Sequence, residues 1–503
     1  MFSHPTIDDI PYEILNEVLK LSIPNEKRGL SYTFERSRTA LRLVSRRWNG
    51  VIIQNPRLWN YVSIKIQPFP KDGYIDNETH QRHVLRLDQI RAAAQRSGKI
   101  PRELHLNLAT ASAYTDEFER KILRGTVDFV HSISNWISVE VFTSDSRVVQ
   151  QIFPVGGATS YSKAWPALRR VLIDYRLEID QGEGDTRGSN PPPVFLFMST
   201  ERFPSLRSVT LALDLWTLPM CQLPWGQLTK LNLSAIQGPF SEYVHILAQC
   251  GFLESLCILV ETLGHNFAAS DASSISIVTL PKLKTLNLTL KDTSDIIHSF
   301  LAKIKLPSLT ALSVKECPRV IHPQDRLMLG IAHLVKQSNC NILHLDIKLM
   351  LDVSVEELDE HCLAYLVKAS PSLKTLKFGA AHVKGMFFAK IYDQPLSNLR
   401  SITIFSNYDD EKIKNLAAEA FVNWVKHWVQ GNKGSRLEDG DKGKIPPFKA
   451  TYHAERDGYV PKNFPPSLED EKAKLQGEGW DVTLKKTRRY SNPFYKFRQV
   501  RYA

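Results

Sequence analysis

The chain has 503 residues, of which 43% are hydrophobic and 23% charged. That composition fits a folded protein with a sizeable core and excludes a low-complexity or disordered polymer. Six cysteines without a Cys-x-x-Cys exclude a disulfide scaffold, and a net charge of +11 leaves acidic partners or nucleic acid open. The first residues, Met-Phe-Ser-His-Pro-Thr-Ile-Asp-Asp, do not read as a signal peptide, and no apolar run is long enough to span a bilayer. The expectation is a protein of the cytoplasm or nucleus.

The first element is a helix. Asp8 and Asp9 can cap it, and Pro11 suits its first turn, where a missing N–H is no loss. Ile14, Leu15, Val18 and Leu19 then fall on one apolar stripe. Leu41, Val44, Trp48, Val51 and Ile52 form a second stripe, with Arg42, Arg46 and Arg47 on the wet side. Pro56 to Trp59 reads as a third, short helical turn. A bundle of roughly 50 residues buries little apolar surface alone, so part of these stripes should face a partner or the rest of the chain.

These residues resemble the F-box family. The pattern is Ile10-Pro11, Glu13-Ile14-Leu15, Leu41-Arg42-Leu43-Val44-Ser45-Arg46-Arg47-Trp48 and Leu58-Trp59, within about the first 60 residues. Ile10 stands where the family usually has Leu, and Asn25 to Arg38 is longer and more polar than the pattern. The resemblance implies docking onto a Skp-type adaptor, which hangs from a cullin scaffold in a ubiquitin ligase. The residues it implies for that contact are Ile10, Pro11, Ile14, Leu15, Val18, Leu43, Val44 and Trp48. Such chains also resemble an expanded class in mushroom-forming fungi. The alternative is that the same apolar residues only cap the following domain.

Gln67 to His80 reads as a linker and Gln81 to Arg96 as a helix. A triplet of apolar residues at n, n+3 and n+5 then recurs, as in Leu168-Val171-Ile173, Leu206-Val209-Leu211, Leu228-Leu231-Leu233 and Leu253-Leu256-Ile258. It continues through Leu283-Leu286-Leu288, Leu309-Leu312-Val314, Ile342-Leu345-Ile347, Leu373-Leu376-Phe378 and Leu399-Ile402-Ile404. Trp136-Val139-Val141 and Leu104/Leu106 read as weaker copies. From Leu206 onward the starts lie 22 (206 to 228) to 33 (309 to 342) residues apart, the signature of an irregular leucine-rich repeat. Cys317 and Asn407 supply the turn-closing residue in two copies. A strand that turns n+3 and n+5 to one face needs that face covered. The candidate covering helices are 241–250, 294–304, 324–337 and 354–369, the last with a capping box at Ser354 to Glu357. A doubly wound α/β domain competes, but Pro204, Pro281, Pro307 and Pro371 recur too regularly before the leucines.

Asp180 to Pro193 reads as an inserted loop, and Leu263 to Ser276 as a polar excursion. Ile413, Leu416, Ala417, Ala420, Phe421, Trp424, Val425 and Trp428 mark one helical face, stopped at Gly431 and expected to close the array. After a polar linker, Trp480 to Ala503 alternates apolar and basic residues, reads as a short hairpin, and carries aromatics that could stack on bases.

The expected fold is therefore α/β: a helical module at 1–66, a linker and helix at 67–98, and a leucine-rich-repeat solenoid at 99–410 with a curved parallel sheet and helices on its convex side. A capping helix at 411–430 and a linker with a basic aromatic tail at 431–503 complete it. On the opposite strand face the n+2, n+4 and n+6 residues are polar. Lys315, His344, Asp346, Lys348 and Lys377 are the candidate client-binding residues there, Lys315 and Lys348 being strand neighbours. They suit an acidic or phosphorylated segment of a client. No catalytic motif occurs, and Cys340 with His344 or His361 with Cys362 lack the further ligands of a zinc site, so neither catalysis, metal nor cofactor is expected. The expected function is the substrate receptor of a cullin-type ubiquitin ligase. The alternative is a repeat scaffold with no ligase link, associated with nucleic acid through the basic tail.

Overall fold

The computed structural model describes residues 10–22, 40–66, 77–108, 117–143, 145–154, 164–175, 196–213, 221–236, 240–260, 276–290, 300–316, 325–348, 365–380, 396, 398–406, 411–435, 448–456 and 464–488. The chain divides into two compact units, meeting in sequence at Pro224 and Trp225. The protein is α/β, and each unit is built on a parallel sheet.

The first unit opens with α1 (Tyr12–Ser22), α2 (Arg46–Gln54) and a 3-10 turn at Pro56–Trp59. Ser45 is extended and its hydroxyl accepts the Trp48 N–H at 3.2 Å, which is why α2 begins there. Leu15, Leu19, Trp48, Val51, Ile52 and Trp59 close a small core, with Ile10, Val18, Leu41 and Ala93 packed at its margin. Arg47 ties the two helical segments by donating to the Ile10 carbonyl at 2.6 Å, and Trp59 Nε1 donates to the Ile52 carbonyl at 2.7 Å.

The sheet of this unit runs β1 (Tyr61–Ile66), α3 (Asn77–Arg96), β2 (Arg102–Leu108), α4 (Glu117–Ser132), β3 (Trp136–Thr143), α5 (Ser146–Ile152), β4 (Arg170–Tyr175) and β5 (Ser208–Ala212). Each strand pairs in parallel with the next. Parallel neighbours cannot be joined by a tight turn, and α3, α4 and α5 lie in the first three crossovers. The register lines up Val62, Leu104, Val139, Val171 and Val209, and beside them Ile64, Leu106, Val141, Ile173 and Leu211. All ten are buried. An edge-to-face cluster of Phe153, Trp165 and Phe203, with centroids 5.9 to 6.3 Å apart, extends the core.

Arg102 is a buried staple in this unit. Its guanidinium donates to the Ala94 and Gly98 carbonyls at 2.7 Å each, and also to Ser97 Oγ and Asn135 Oδ1. It thereby joins Ser97 as a donor to the Ala94 carbonyl in the last turn of α3 and ties that end to Gly98, just beyond the helix, and to Asn135. Arg102→Met should lower unfolding stability by about 2–4 kcal/mol in urea titration, because it removes four charge-assisted hydrogen bonds at once from a buried site. Arg102→Lys should recover only a part.

His131 is buried against Trp165, with its Nε2 3.0 Å from the Gln151 carbonyl. Burial holds its pKa below the ordinary 6.5, aided by Arg202 and opposed by the Gln151 carbonyl and Asp128. A histidine whose folded pKa is depressed is held neutral. Its share of stability is complete above pH 6.5 and falls as the pH drops toward the folded value, by at most about 1.4 kcal/mol per pH unit. His131→Gln should therefore show a smaller loss of melting temperature between pH 7 and pH 5 than the unaltered chain.

The second unit runs β6 (Lys230–Ile236), α6 (Phe240–Ala248), β7 (Ser255–Val260), β8 (Thr285–Leu290), β9 (Ala311–Glu316), α7 (Asp325–Ser338), β10 (His344–Lys348), β11 (Thr375–Ala380) and β12 (Ser401–Ser406). It continues with α8 (Glu411–Ser435), β13 (Lys449–Arg456), α9 (Pro466–Gly477) and β14 (Asp481–Arg488). These nine strands pair in parallel in chain order. Burial alternates along them, with Leu286 and Leu288, Leu312 and Val314, and Leu345 and Ile347 inward. The leading leucine of each repeat closes a turn, its N–H donating to the residue three before it, as from Leu283 to Leu280, Leu309 to Leu306 and Leu373 to Ser370. That turn explains Pro281, Pro307 and Pro371, which start it without a backbone donor.

Several expectations are corrected. The sheet begins at Tyr61, inside the span expected to be purely helical, because Val62 and Ile64 alternate as a strand. The linker expected as far as His80 ends earlier, since α3 starts at Asn77. Ile304 closes no helix; Ile304–Lys305 pairs with Val278–Thr279 as a short ladder. Gly431 does not stop α8, which runs on to Ser435, since a single glycine costs a helix only about 1 kcal/mol. Nor does α8 end the array: β13, inside the span expected to be a polar linker, and β14 extend it, parallel and joined through α9, while the turn and second strand of the expected hairpin, 491–503, lie outside the described residues. Asn25 to Arg38, Asp180 to Pro193, most of Leu263 to Ser276, Cys317, Ser354 to Glu357, His361, Cys362, Asn407 and the tail beyond Arg488 lie outside the described residues.

Candidate interaction surfaces

The N-terminal helices present an apolar face that their own core leaves open. Ile14 is 55% exposed, Leu43 81%, Val44 46% and Tyr12 44%. Pro11 is exposed too, and Ile10 and Val18 are half-buried at the edge of the core. Leu43 and Val44 sit on the bend between Ala40 and Ser45, whose backbone closes through Leu43 N–H to the Ala40 carbonyl at 3.1 Å and Val44 N–H to the Leu41 carbonyl at 3.3 Å. That bend pushes both side chains outward. Leu15 and Trp48 differ from the other implied contact residues: both are core residues of the module and are not available to a partner. Tyr12, at the start of α1, is exposed as well without having been singled out by the sequence pattern.

On the polar strand face of the second unit, Lys315 and Lys348 are register partners as expected. Lys315, His344 and Lys377 are exposed; Asp346 and Lys348 are half-buried. Asp346 pairs in register with Lys377, and His344 Nδ1 is hydrogen-bonded to the Thr375 hydroxyl at 2.8 Å. Three residues that no sequence pattern marks complete this surface. Lys348 Nζ lies 5.0 Å from the centre of the Phe405 ring, and Phe405 stacks on His453 with centroids 4.8 Å apart and planes within 19°. Between Lys348 and Phe405 stands Gly379, where an added Cβ would come within 3.1 Å of Phe405 Cβ and 3.3 Å of Lys348 Cγ. The contact depends on a missing side chain.

The first unit carries a different polar face. Glu103 meets Arg170 at 3.2 Å, and Glu140 meets His105 at 3.1 Å. Tyr61 faces both carboxylates; burial, then Glu140 and Glu103, push its hydroxyl up to about 12. Each of these carboxylates thus has a partner within the face.

The basic strand Asp481–Arg488 belongs to the folded sheet, with Lys486 lying 4.6 Å over the Phe464 ring. Burial raises the thiols of Cys221 and Cys250 to about 12 and Cys340 to about 11, so they stay protonated and make poor nucleophiles or ligands. Among the described residues no group of three or more His, Cys, Asp or Glu is placed to hold a metal ion, and no helix is long and apolar enough to cross a membrane. No protein-family model matches the sequence, and no curated protein matches it.

Proposed function

We propose that the chain is the substrate-recognition subunit of a cullin-type ubiquitin ligase. Its first 60 residues act as an F-box that docks on a Skp-type adaptor, and its parallel strands form a leucine-rich-repeat solenoid that holds the client. The observation that carries this reading is the outward face of Tyr12, Ile14, Leu43 and Val44 beside a core already closed by Leu15, Leu19 and Trp48. A module that served only as a cap would turn such residues inward, since an apolar side chain left in water forgoes up to roughly 1.5–3 kcal/mol. The chain performs no chemistry in this reading. It holds a client beside the ubiquitin-carrying enzyme and so raises the effective concentration of the reacting groups.

The second reading is a repeat scaffold with no ligase link. It draws on Ala93 packing at the edge of the module core and on Arg96 lying 4.9 Å over the Trp59 ring, which join the helices to α3. Co-purification with a Skp-type adaptor separates the two. A stable complex in size-exclusion chromatography supports the receptor; an adaptor that elutes apart from the intact, folded chain removes it.

A further inference from the structure

The polar face of the second unit carries one feature that neither charge pattern nor repeat spacing explains. Lys315, Lys348, Gly379, Phe405, His453 and Lys485 are mutual register partners across six consecutive strands. At about 4.8 Å per strand, the row spans about 24 Å. It contains no acidic residue. Its cations stand at the two ends, with a glycine gap and an aromatic stack between them.

Two properties of the row select its ligand. First, both faces of Phe405 are taken, one by the Lys348 ammonium and the other by the His453 ring. A nucleobase needs a free ring face to stack on, so this aromatic pair is a spacer that fixes Lys348 and not a base platform. Second, the cations do not converge. Lys348 is drawn over Phe405, which also relieves its repulsion with Lys315, and Lys485 is about 19 Å further along. A single phosphoryl group reaches one end of such a line and leaves the other unused. A run of carboxylates, spread along an extended chain at about 6.7 Å between same-side residues, meets both ends. About seven residues of extended peptide cover the distance.

We infer that this row is a docking track for an acidic, extended peptide segment of a partner protein, laid across the strands with its carboxylates on Lys315, Lys348 and Lys485. Gly379 is a positioning residue: it leaves the space through which Lys348 reaches Phe405. The inference rests on reading the polar strand face as the client surface, but not on the adaptor contact.

Fluorescence anisotropy on the full chain tests it with three labelled probes: a 12-residue peptide of alternating Glu and Ser, a neutral peptide of the same length with one central phosphoserine, and a 12-nucleotide oligothymidylate. The acidic peptide should bind at least about tenfold more tightly than either other probe, and Lys315→Glu with Lys485→Glu should weaken it at least about 20-fold. Gly379→Val should weaken it about threefold; Lys348→Gln gives the same direction without touching the backbone. Equal or tighter binding of the phosphopeptide or the oligonucleotide overturns the inference. So does an acidic peptide that fails to bind, or one indifferent to the charge reversal. Adaptor capture by the same variants should be unchanged, so loss of the peptide track and loss of the ligase reading are separate results.

Discussion

Changing Ile14 and Val44 together to aspartate is expected to abolish adaptor capture, lowering affinity more than about a hundredfold, or about 2.7 kcal/mol. Both side chains are about half exposed and neither belongs to the closed core, so their loss leaves that core intact. Two carboxylates placed in an apolar interface must instead be desolvated without a partner, on top of about 1.5–3 kcal/mol of apolar burial lost for each residue. The melting temperature should move by less than about 2 °C, as for substitutions outside buried contacts. Leu15→Asp provides the contrast. Leu15 is fully buried beside Leu19 and Trp48, so that change should unfold the module and lose the adaptor through instability. Circular dichroism distinguishes the two routes. An Ile14/Val44 double variant that still binds the adaptor like the unaltered chain would leave the exposed face without the role given to it.

The split between Leu15 and Ile14 shows where the sequence stops being informative. Adjacent residues on an apolar stripe look alike in a helical pattern, and which of them meets the module's own core depends on how α1 rolls against α2. The strands were legible for the opposite reason. In Leu309-x-x-Leu312-x-Val314 the turn and the inward pair both demand bulky aliphatics, so position and role coincide. Phe405, His453 and Gly379 were not legible, because their contact needs the register of three strands separated by long crossovers. The strand β13 was obscured by a small residue. Ala450 is buried in register with Ile402, where earlier strands place leucine or isoleucine, since the neighbouring Tyr452 and the Trp428–Phe448 stack already fill the space.

The last two strands set the second large effect. A chain ending at Ser435 is expected to be insoluble or to lose cooperative unfolding. A terminal cap would show a polar outer side, but α8 buries Phe421, Trp424, Val425 and Trp428, and its rings meet those of the segment from Phe448 to Trp480. Trp428 stacks on Phe448 with centroids 4.0 Å apart and meets Trp480 at 6.4 Å; Phe421 lies 5.7 Å from Tyr452. Removing the segment also strips the β12 edge of its partner strand. The buried Phe448, Tyr452, Phe464, Leu468, Leu475, Trp480 and Val482 go with it. At roughly 1.5–3 kcal/mol each, that burial, gross of the ordering entropy that leaves with it, is of the same size as the 5–15 kcal/mol by which a domain is ordinarily stable. Tyr452→Ala in the full chain gives a graded version, with an expected cost of about 3–5 kcal/mol in chemical denaturation, because a fully buried ring leaves a cavity between Phe421 and Phe464. If the chain ending at Ser435 is soluble and melts where the full chain does, α8 is the true end of the array. β13 and β14 would then contribute nothing to its core.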